Sequence, residues 1–198
     1  MNQHPEHHRP GRPRSEEADA AIFDAARTLF AELGYGAVSI EQVAARAGVA
    51  RSTIYRRFPN KAELVMAALE ATMPVEPLVP DTGTLEGDLF QLGISLRELL
   101  RSSPLGKILP AAMTARSTHP ELAALYERFL RRRRRHAIDA VRRGIERGEV
   151  RPDVDPELLI DLVVGPVFLR ALLTGGRLDD RALRQLARAA VDAHRPTG

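Results

Sequence analysis

The sequence predicts an all-α fold of about nine helices, and three features of its pattern support this prediction. Apolar residues recur at the spacing of a helix face along most of the 198 residues. Glycine, proline and helix-capping residues divide this pattern into segments of ordinary helix length. No segment of any length alternates apolar and polar residues in the way that a half-buried strand does. A chain of this length can bury the core of one large domain or two small ones.

The composition is typical of a soluble globular protein and excludes some kinds of site. Hydrophobic residues make up 44% and charged residues 28% of the chain, and the net charge is +3. There is no cysteine, which excludes disulfides, thiol sensing and cysteine-based zinc sites. The N-terminus lacks the apolar region of a signal peptide, and the most apolar segment, 158–173, is interrupted by Asp161, Pro166 and Arg170. We therefore expect a cytoplasmic protein that does not cross a membrane.

The first predicted helix follows a polar, proline-rich segment, residues 1–14, which we expect to be a disordered basic arm. Ser15 is the expected N-cap of this helix, and Gly34 is expected to end it. The next segment predicts two short helices joined by a tight turn. Ser39 and Gln42 form a capping box that begins the first of them at residue 40, and Gly48 supplies the left-handed backbone of the turn.

The second short helix is predicted to run through Phe58 and to be stopped by Pro59. Asn60 and Glu63 form another capping box, which begins a helix over 61–73. A helix, a glycine turn and a second helix are the arrangement that lays its second helix in the DNA major groove. No acidic residue occurs between residues 42 and 62, which favours binding to a phosphate backbone. The basic residues there are Arg46, Arg51, Arg56, Arg57 and Lys61.

Three groups of residues in this part form a specific pattern. They are Ala44, Ala47, Gly48 and Val49 of the turn, the T-I-Y-x-x-F-x-x-K run from Thr53 to Lys61, and A-A-R-x-L-F-A-E-x-G-Y from Ala25 to Tyr35. The pattern resembles the helix-turn-helix of the TetR/AcrR family of bacterial transcriptional regulators. The resemblance implies a homodimer that binds a DNA operator and a small-molecule effector. One departure is Ala50, where the family often has Ser or Thr as a cap, a loss of about 0.5–2 kcal/mol.

A second, larger helical region is predicted after the proline-rich connection 74–83. Its helices are expected at 84–102, 104–117, 120–148, 157–174 (kinked near Pro166) and 179–194. With the resemblance, the division becomes a basic arm (1–14), a three-helix helix-turn-helix DNA-binding domain (15–73), and a C-terminal ligand-binding and dimerisation domain (74–198).

The segment 147–180 also resembles the end of many TetR-like regulators. In that family the last two long helices of each subunit pack with those of the partner in a four-helix bundle. The resemblance therefore implies dimerisation through 157–174 and 179–194, whereas periodicity alone also fits a core helix of one monomer. The apolar face in question consists of Leu158, Leu162, Val163, Pro166, Val167, Leu169 and Leu173.

The predicted DNA contacts lie mainly on the recognition helix. Arg51 and Ser52 are at its N-terminal end, where side chains reach base edges. Arg51 could donate two hydrogen bonds to guanine, worth about 1–3 kcal/mol of discrimination. Thr53 is predicted to contact phosphate or a thymine methyl group. The resemblance implies contacts with the DNA backbone or nearby bases for Thr53, Tyr55 and Lys61, and the position of Lys61 at a helix N-terminus favours phosphate.

Further phosphate contacts are predicted for Ser39 and for at least one of Arg56 and Arg57; the alternative for the two arginines is a solvated helix face. In the arm, Arg12 and Arg14 belong to a Gly-Arg-Pro segment that resembles minor-groove arms, and arginine is attracted to narrow A·T minor grooves. The alternative is a disordered, solubilising tail.

A ligand pocket is predicted among apolar and aromatic residues of the central helices. Its wall candidates are Phe90, Met113, Tyr126, Phe129 and Phe168, each of which could instead be plain core. Within the run Arg131–Arg135, Arg133 fills a gap in an apolar stripe and should face inward. It is a candidate anchor for an anionic effector; alternatively it snorkels or pairs with Asp88 or Glu98.

These features predict a ligand-responsive repressor that binds a palindromic operator. Two alternatives are an architectural DNA-binding protein without an effector and a small-molecule-binding helical protein. No dinucleotide loop, P-loop, nucleophile elbow or zinc-protease motif occurs, so we expect neither an enzyme nor a cofactor. His4, His7 and His8 could bind a metal, but a tail without supporting contacts is a poor site, and we expect none.

Overall fold

The computed structural model describes residues 14–73 and 81–196, and every regular element within them is helical. The all-α prediction is confirmed, and these residues form nine α-helices without a strand. The helices are α1 (Arg14–Ala37), α2 (Ile40–Ala47), α3 (Arg51–Tyr55), α4 (Lys61–Glu70), α5 (Leu85–Ser102), α6 (Leu105–Thr118), α7 (Pro120–Glu146), α8 (Pro156–Phe168) and α9 (Asp180–Asp192). A π-helical segment, Leu169–Thr174, continues α8.

The turns between the first four helices form where the sequence predicts them. Gly34 has φ 75° and ψ 164°, a backbone that other residues rarely adopt, and it interrupts the regular helix of α1. The capping box of α2 is complete: the Gln42 N–H donates to Ser39 Oγ at 3.2 Å, and the Ser39 N–H donates to Gln42 Oε1 at 2.8 Å. Gly48 closes α2 in the left-handed conformation, with φ 67°. Asn60 caps α4 by accepting from the Glu63 N–H at 2.9 Å.

Three predicted boundaries in this part are wrong by a few residues. α1 begins at Arg14, so Ser15 lies inside the helix and is not its cap. α3 ends at Tyr55, although the N–H of Phe58 still donates to the Ile54 carbonyl at 2.9 Å. α4 ends at Glu70 instead of residue 73. All three differences lie at helix ends, where the terminal turn frays easily and is often 3₁₀.

Helix α1 connects the two parts of the chain. It packs against α2 and α4 and also against α6, while α4 packs against α7. Ile22 and Phe30 of α1, Ile54 of α3 and Leu64 of α4 are all fully buried. Each such side chain stabilises the fold by about 1.5–3 kcal/mol relative to exposure. The short helix α3 is therefore held mainly through one residue, Ile54.

Helix α5 lies at the centre of the C-terminal part and contacts α6, α7, α8 and α9. Two glycines permit this close packing. A Cβ at Gly144 would lie 2.7 Å from Leu85 Cδ2, and one at Gly93 would lie 3.1 Å from Leu183 Cδ2. The start of α5 is fixed by the buried Asp88, whose carboxylate accepts two hydrogen bonds from Thr82, each 2.7 Å long, and one from Arg143 Nη2 at 3.3 Å.

The irregularity predicted near Pro166 takes the form of a change in helix type. Pro166 lies within α8 and has no N–H to donate, and the helix widens into its π-helical segment at Leu169, three residues further on. Gly175, with φ 66°, ends this segment, and Asp179 caps α9 by accepting from the Ala182 N–H at 2.8 Å. Residues 74–80 lie outside the described residues, so the domain boundary at residue 73 stays a prediction.

Candidate nucleic-acid interface

The helix-turn-helix is formed by α2, the turn at Gly48 and α3. The Val49 N–H donates to the Ala44 carbonyl at 3.0 Å, which fixes the exit of the turn. Ala50 stands at the N-cap of α3 and makes no side-chain hydrogen bond, so the expected loss of the cap is present. Ile54 is completely buried and anchors α3 against the core. The remaining side chains of α3 are thus left facing away from the protein interior.

Polar side chains dominate the uncovered side of α3. Arg51, Ser52 and Tyr55 are exposed, Thr53 is half-buried, and Arg56 just beyond the helix is exposed. We call these five residues the recognition face. Tyr55 is 51% exposed, so its aromatic ring is accessible to a partner. Among the described residues Arg56 forms no ion pair within the chain, so its guanidinium group is available to a partner.

Within the part of the chain that the structure describes, Arg51 pairs with Glu41, and that contact is weak. Its Nη1 lies 3.3 Å from Glu41 Oε1 on α2, and both side chains are more than half exposed. An exposed ion pair of this kind contributes only about 0–1 kcal/mol. The pKa of Glu41 lies below its ordinary value, first because of a backbone hydrogen bond at the start of α2 and then because of Arg51. A phosphate or a guanine edge can therefore replace Glu41 as the partner of Arg51 at little cost.

Three residues predicted to contact DNA form hydrogen bonds or ion pairs with other residues of the protein. Arg57 turns towards α1, where its Nε lies 3.0 Å from Asp19 Oδ1, and only 19% of its side chain is exposed. Lys61 Nζ donates to the Tyr35 carbonyl at 2.7 Å. Ser39 Oγ accepts from α2, as described above. Of the two adjacent arginines, Arg56 is exposed and Arg57 is the inward member.

The predicted arm, residues 1–14, lies outside the described residues except for Arg14. Arg12 lies outside the described residues, as do His4, His7 and His8. Arg14 is the first residue of α1 and so belongs to the helix instead of the arm. The minor-groove contact of these two arginines stays a prediction.

A second uncovered surface lies on α8 and its π-helical continuation. Val163 and Val167 of the predicted apolar face are buried in the core, whereas four leucines of the same face are exposed, with Leu173 at 80%. These four residues recur at intervals of four, seven and four along the helix, so they share one side of it. We call them the α8 stripe: Leu158, Leu162, Leu169 and Leu173.

Two family models match the chain and together span most of it. Residues 22–68 match the model described as bacterial regulatory proteins, tetR family, and residues 79–190 match the model described as tetracyclin repressor-like, C-terminal domain. The chain belongs to the TetR family. The resemblance stated from the helix-turn-helix residues is confirmed, and the protein is a DNA-binding transcriptional regulator.

Individual relatives agree with this assignment over nearly the full length. An uncharacterized HTH-type transcriptional regulator of Bacillus subtilis, YdeS, is 37% identical over 177 residues, which cover 89% of each chain. The DNA-binding transcriptional repressor TetR of Mycobacteroides abscessus is 34% identical, covering 87% of this chain and 91% of the relative. The crystal structure of the TetR family transcription regulator SCO0332 matches with a TM-score of 0.66 and 30% identity, covering 91% of this chain and 100% of that one.

The residues predicted to line a TetR-family ligand pocket have different surroundings in the structure. Met113, on α6, is 52% exposed, and its role as a pocket wall stays a prediction. Phe90 is buried under Arg184 of α9, whose guanidinium carbon lies 4.0 Å from the ring centroid. Tyr126 and Phe129 are buried together on α7 with ring centroids 6.2 Å apart, and burial raises the pKa of Tyr126. Phe168, at the end of α8, is half-buried.

Two cavities of similar size are lined by other residues. One, of about 640 Å³, lies between α1 and the α5–α6 connection and includes Arg27, Arg101 and Ile108 in its lining. The other, of about 630 Å³, lies where the start of α5 meets the end of α9 and includes Thr84 and Arg195. None of the six predicted pocket residues lines either cavity.

The arginine run on α7 distributes its members around the helix, as expected. Arg132 pairs with Glu70 of α4. Arg134 pairs with Asp161 of α8 and also donates to the Glu157 carbonyl at 3.2 Å. Arg133 is half-buried, and burial, followed by the neighbouring Arg132, lowers its pKa.

The two acidic residues suggested as partners of Arg133 are paired with other arginines, so a pairing of Arg133 with either of them stays a prediction. Asp88 binds Arg143, and Glu98 binds Arg97 and Arg101. The charge of Glu70 acts on Arg133 and opposes the lowering of its pKa. The role of Arg133 as an effector anchor stays a prediction.

Two further observations bear on other kinds of site. No helix of the described residues is long and apolar enough to cross a membrane. Within residues 14–73 and 81–196, no group of three or more His, Asp or Glu side chains is arranged to hold a metal ion.

Proposed function

We propose that this protein is a ligand-responsive repressor that binds a palindromic operator as a homodimer. The observation that supports this most directly is the recognition face: a short helix, anchored by one buried isoleucine, that exposes arginine, serine and tyrosine to a partner. Such a face suits the edges and phosphates of the major groove. The similarity to a named repressor, 34% identical over 87% of this chain, favours repression.

Within the proposed complex, the recognition face divides into base-reading and phosphate-binding residues. Arg51 and Ser52 begin α3 and contact base edges, while Arg56 binds phosphate. Thr53 and Tyr55 contact the backbone or nearby bases. Arg57 orients α3 through Asp19 and does not bind DNA, which revises the sequence-based proposal for that residue.

Lys61 and Ser39 combine a structural role with a phosphate contact. An ammonium group has three donors, and the Tyr35 carbonyl uses one of them. A serine hydroxyl that accepts from a helix N–H still has its own proton to donate. Both groups lie at the beginning of a helix, where the dipole adds to the attraction for an anion.

The α8 stripe supplies the apolar part of the proposed dimer interface. Four exposed leucines on one side of a helix favour a protein partner, because such a patch loses contact with water only when it is covered. Helix α9 differs: Leu183, Ala187 and Val191 are buried, and Arg181, Gln185 and Arg188 are exposed. We therefore assign the centre of the interface to α8 and its π-helical segment, and the polar rim to α9. A second copy of the chain brings an identical stripe, as two-fold symmetry requires.

The proposed response to ligand is a shift between two arrangements of the dimer. In the DNA-binding arrangement, the two α3 helices are one helical turn apart, about 34–36 Å. An effector that binds another arrangement more tightly lowers operator affinity by the ratio of its two affinities. Tyr126, Phe129, Phe168 and Arg133 remain the residues assigned to effector binding, and α4 connects them with α3. The protein is proposed to act in the cytoplasm without a cofactor.

The test is fluorescence-anisotropy binding to duplexes tiled across the DNA that flanks the gene, against a scrambled duplex at several salt concentrations. The expected result is tight binding to one palindromic duplex that weakens as salt rises. Equal and weak binding to all duplexes would support the architectural alternative, and no binding at low salt would refute DNA binding.

A further inference from the structure

Tyr35 connects the DNA-binding part to the start of α7. It follows Gly34 at the end of α1, and its ring is buried. Its hydroxyl donates to Glu121 Oε1 at 3.1 Å, in the first turn of α7. Burial and the carboxylate raise the pKa of Tyr35, so the phenol stays protonated and remains the donor. This hydrogen bond joins residues 86 positions apart in the sequence.

Lys61 ties the other side of Tyr35 to the recognition helix. Its ammonium donates to the Tyr35 carbonyl at 2.7 Å and lies 4.3 Å from the centroid of the Tyr35 ring. Lys61 is the first residue of α4, separated from the end of α3 by five residues that end in the Asn60 cap. Any shift of Tyr35 therefore moves the attachment point of Lys61 and, with it, the end of α3.

His119 fixes the same point to α6. Its ring centroid lies 4.7 Å from that of Tyr35 in an edge-on arrangement, and its Nδ1 lies 3.6 Å from Glu121 Oε1. Its backbone N–H donates to the Ala115 carbonyl at the end of α6 with a length of 2.9 Å. The corner between α6 and α7 is thus in direct contact with the end of α1. We call Tyr35, Lys61, His119 and Glu121 the Tyr35 junction.

We propose that Tyr35 and Glu121 are positioning residues for DNA binding, which set the orientation of α3 through Lys61 and transmit movements of the α6–α7 corner to it. This inference rests on the proposed function. A packed ring held by two charged groups does not deform gradually but exchanges between discrete arrangements. The coupling is reciprocal, so a phosphate bound to Lys61 also favours one position of the α6–α7 corner.

The ion pair between α4 and α7 is less suited to this role. At the far end of α4, Glu70 pairs with Arg132, and both side chains are about half exposed. An exposed pair contributes little to stability and is screened by salt. The Tyr35 junction, in contrast, places its phenol ring in the core at the end of α4 that adjoins α3.

The test compares Tyr35→Phe, Glu121→Gln and their double variant with the unmodified protein. Tyr35→Phe keeps the packed ring and removes the hydroxyl. Glu121→Gln removes the negative charge of the exposed partner and serves as the test if the buried change impairs folding. Glu127→Gln is the matched control, because Glu127 is an exposed carboxylate of α7 whose partner is Arg131 at 3.8 Å. Operator affinity should fall by about 5-fold or more in each single variant. The affinity of the double variant should be no lower than that of the single variant that binds less tightly. The control should bind as the unmodified protein does.

Two further measurements separate positioning from contact and from stability. The slope of log affinity against log salt should stay unchanged, because neither residue touches phosphate. The chain has no cysteine, so a spin label at Ala45→Cys, exposed on α2, reports the distance between the two recognition units of a dimer without DNA. We expect this distance distribution to broaden or shift in Tyr35→Phe and Glu121→Gln.

The outcomes distinguish this proposal from the proposed function. If the unmodified protein binds its operator and both variants bind equally well with an unchanged distance distribution, the junction proposal is overturned. A reduced salt slope would also overturn it, since it would make the junction a phosphate contact. If the unmodified protein binds no duplex or remains monomeric, the proposed function itself has failed.

Discussion

Helices α3 and α8 each leave one side uncovered in the protomer, but the two sides differ in chemistry. α3 buries Ile54 and exposes arginine, serine and tyrosine, whereas α8 and its continuation bury valine and isoleucine and expose four leucines. A hydrated charged face gains most from a polyanion, through hydrogen bonds and release of counterions. An apolar stripe gains only by leaving water. This difference in chemistry favours nucleic acid as the partner of α3 and, under the proposed function, a second protein surface as the partner of α8.

The largest effect is expected from placing a charge in the α8 stripe. Leu162→Glu should convert the dimer to monomers, because a carboxylate would be buried opposite its own copy near the two-fold axis. Operator affinity should then fall on the order of 100-fold or more, since a monomer loses the second half-site. Sedimentation velocity and anisotropy binding measure the two effects.

Leu33→Glu is the matched control for self-association, because Leu33 is an equally exposed leucine on α1, at 46% against 42% for Leu162. It should sediment as the unmodified protein does. A Leu162→Glu protein that remained dimeric would show that the α8 stripe is not part of the dimer interface. The contrast between a DNA-binding α3 and a protein-binding α8 would then no longer hold.

Arg51→Ala is expected to act on the discrimination between DNA sequences. Losing a bidentate contact should cost about 1–3 kcal/mol for the operator relative to a duplex altered at the contacted base pair. The melting temperature should hardly change, because the pair with Glu41 is exposed. Competition binding with single base-pair variants of the operator measures the ratio. Arg46→Ala, on α2 and paired with Glu32, should leave that ratio intact; the same loss there would show that any nearby arginine acts alike.

Arg56 and Arg57 offer a comparison within two adjacent residues. Arg57→Ala should lower the free energy of unfolding by about 1–3 kcal/mol, because it leaves Asp19 without its partner. Arg56→Ala should leave thermal stability unchanged and reduce the salt slope of operator binding by about 1. Chemical denaturation and salt-dependent anisotropy binding on both variants measure these effects. A reduced salt slope in Arg57→Ala would show that Arg57 contacts DNA after all.

Local interactions were predictable from the sequence because their partners are three or four residues apart. Ser39 with Gln42 and Gly48 with the end of α2 are of this kind, and the structure contains each of them. The partners of long, positively charged side chains were not predictable in the same way. Arg57, Lys61 and Arg133 can each reach several acceptors, and only the packing of distant helices selects Asp19, the Tyr35 carbonyl or the surroundings of Glu70.

The walls of a ligand pocket are difficult to predict from sequence for a related reason. Helical spacing places an apolar residue on a side of its helix but does not tell which neighbour covers that side. Met113 fits the pattern of α6 and is nevertheless half exposed, and Phe90 is covered by an arginine of α9. The role of Tyr35 had no separate signal in the sequence, because its partners in α7 lie far along the chain.

The smallest predicted effect concerns how loosely α3 is held. Ala50 is at the N-cap position of α3 with φ −68° and ψ 143°, a backbone that a capping serine also adopts. Ala50→Ser should stabilise the protein by about 0.5–1 kcal/mol, because its hydroxyl oxygen would accept from a free N–H of the first turn. Ala45→Ser, on the exposed side of α2, is the matched control and should destabilise slightly, by about 0.5 kcal/mol, through helix propensity alone. Thermal unfolding distinguishes the two. If both variants lose the same amount of stability, Ile54 already holds α3 fully in place. α3 and the well-packed α8 would then differ only in the chemistry of their surfaces.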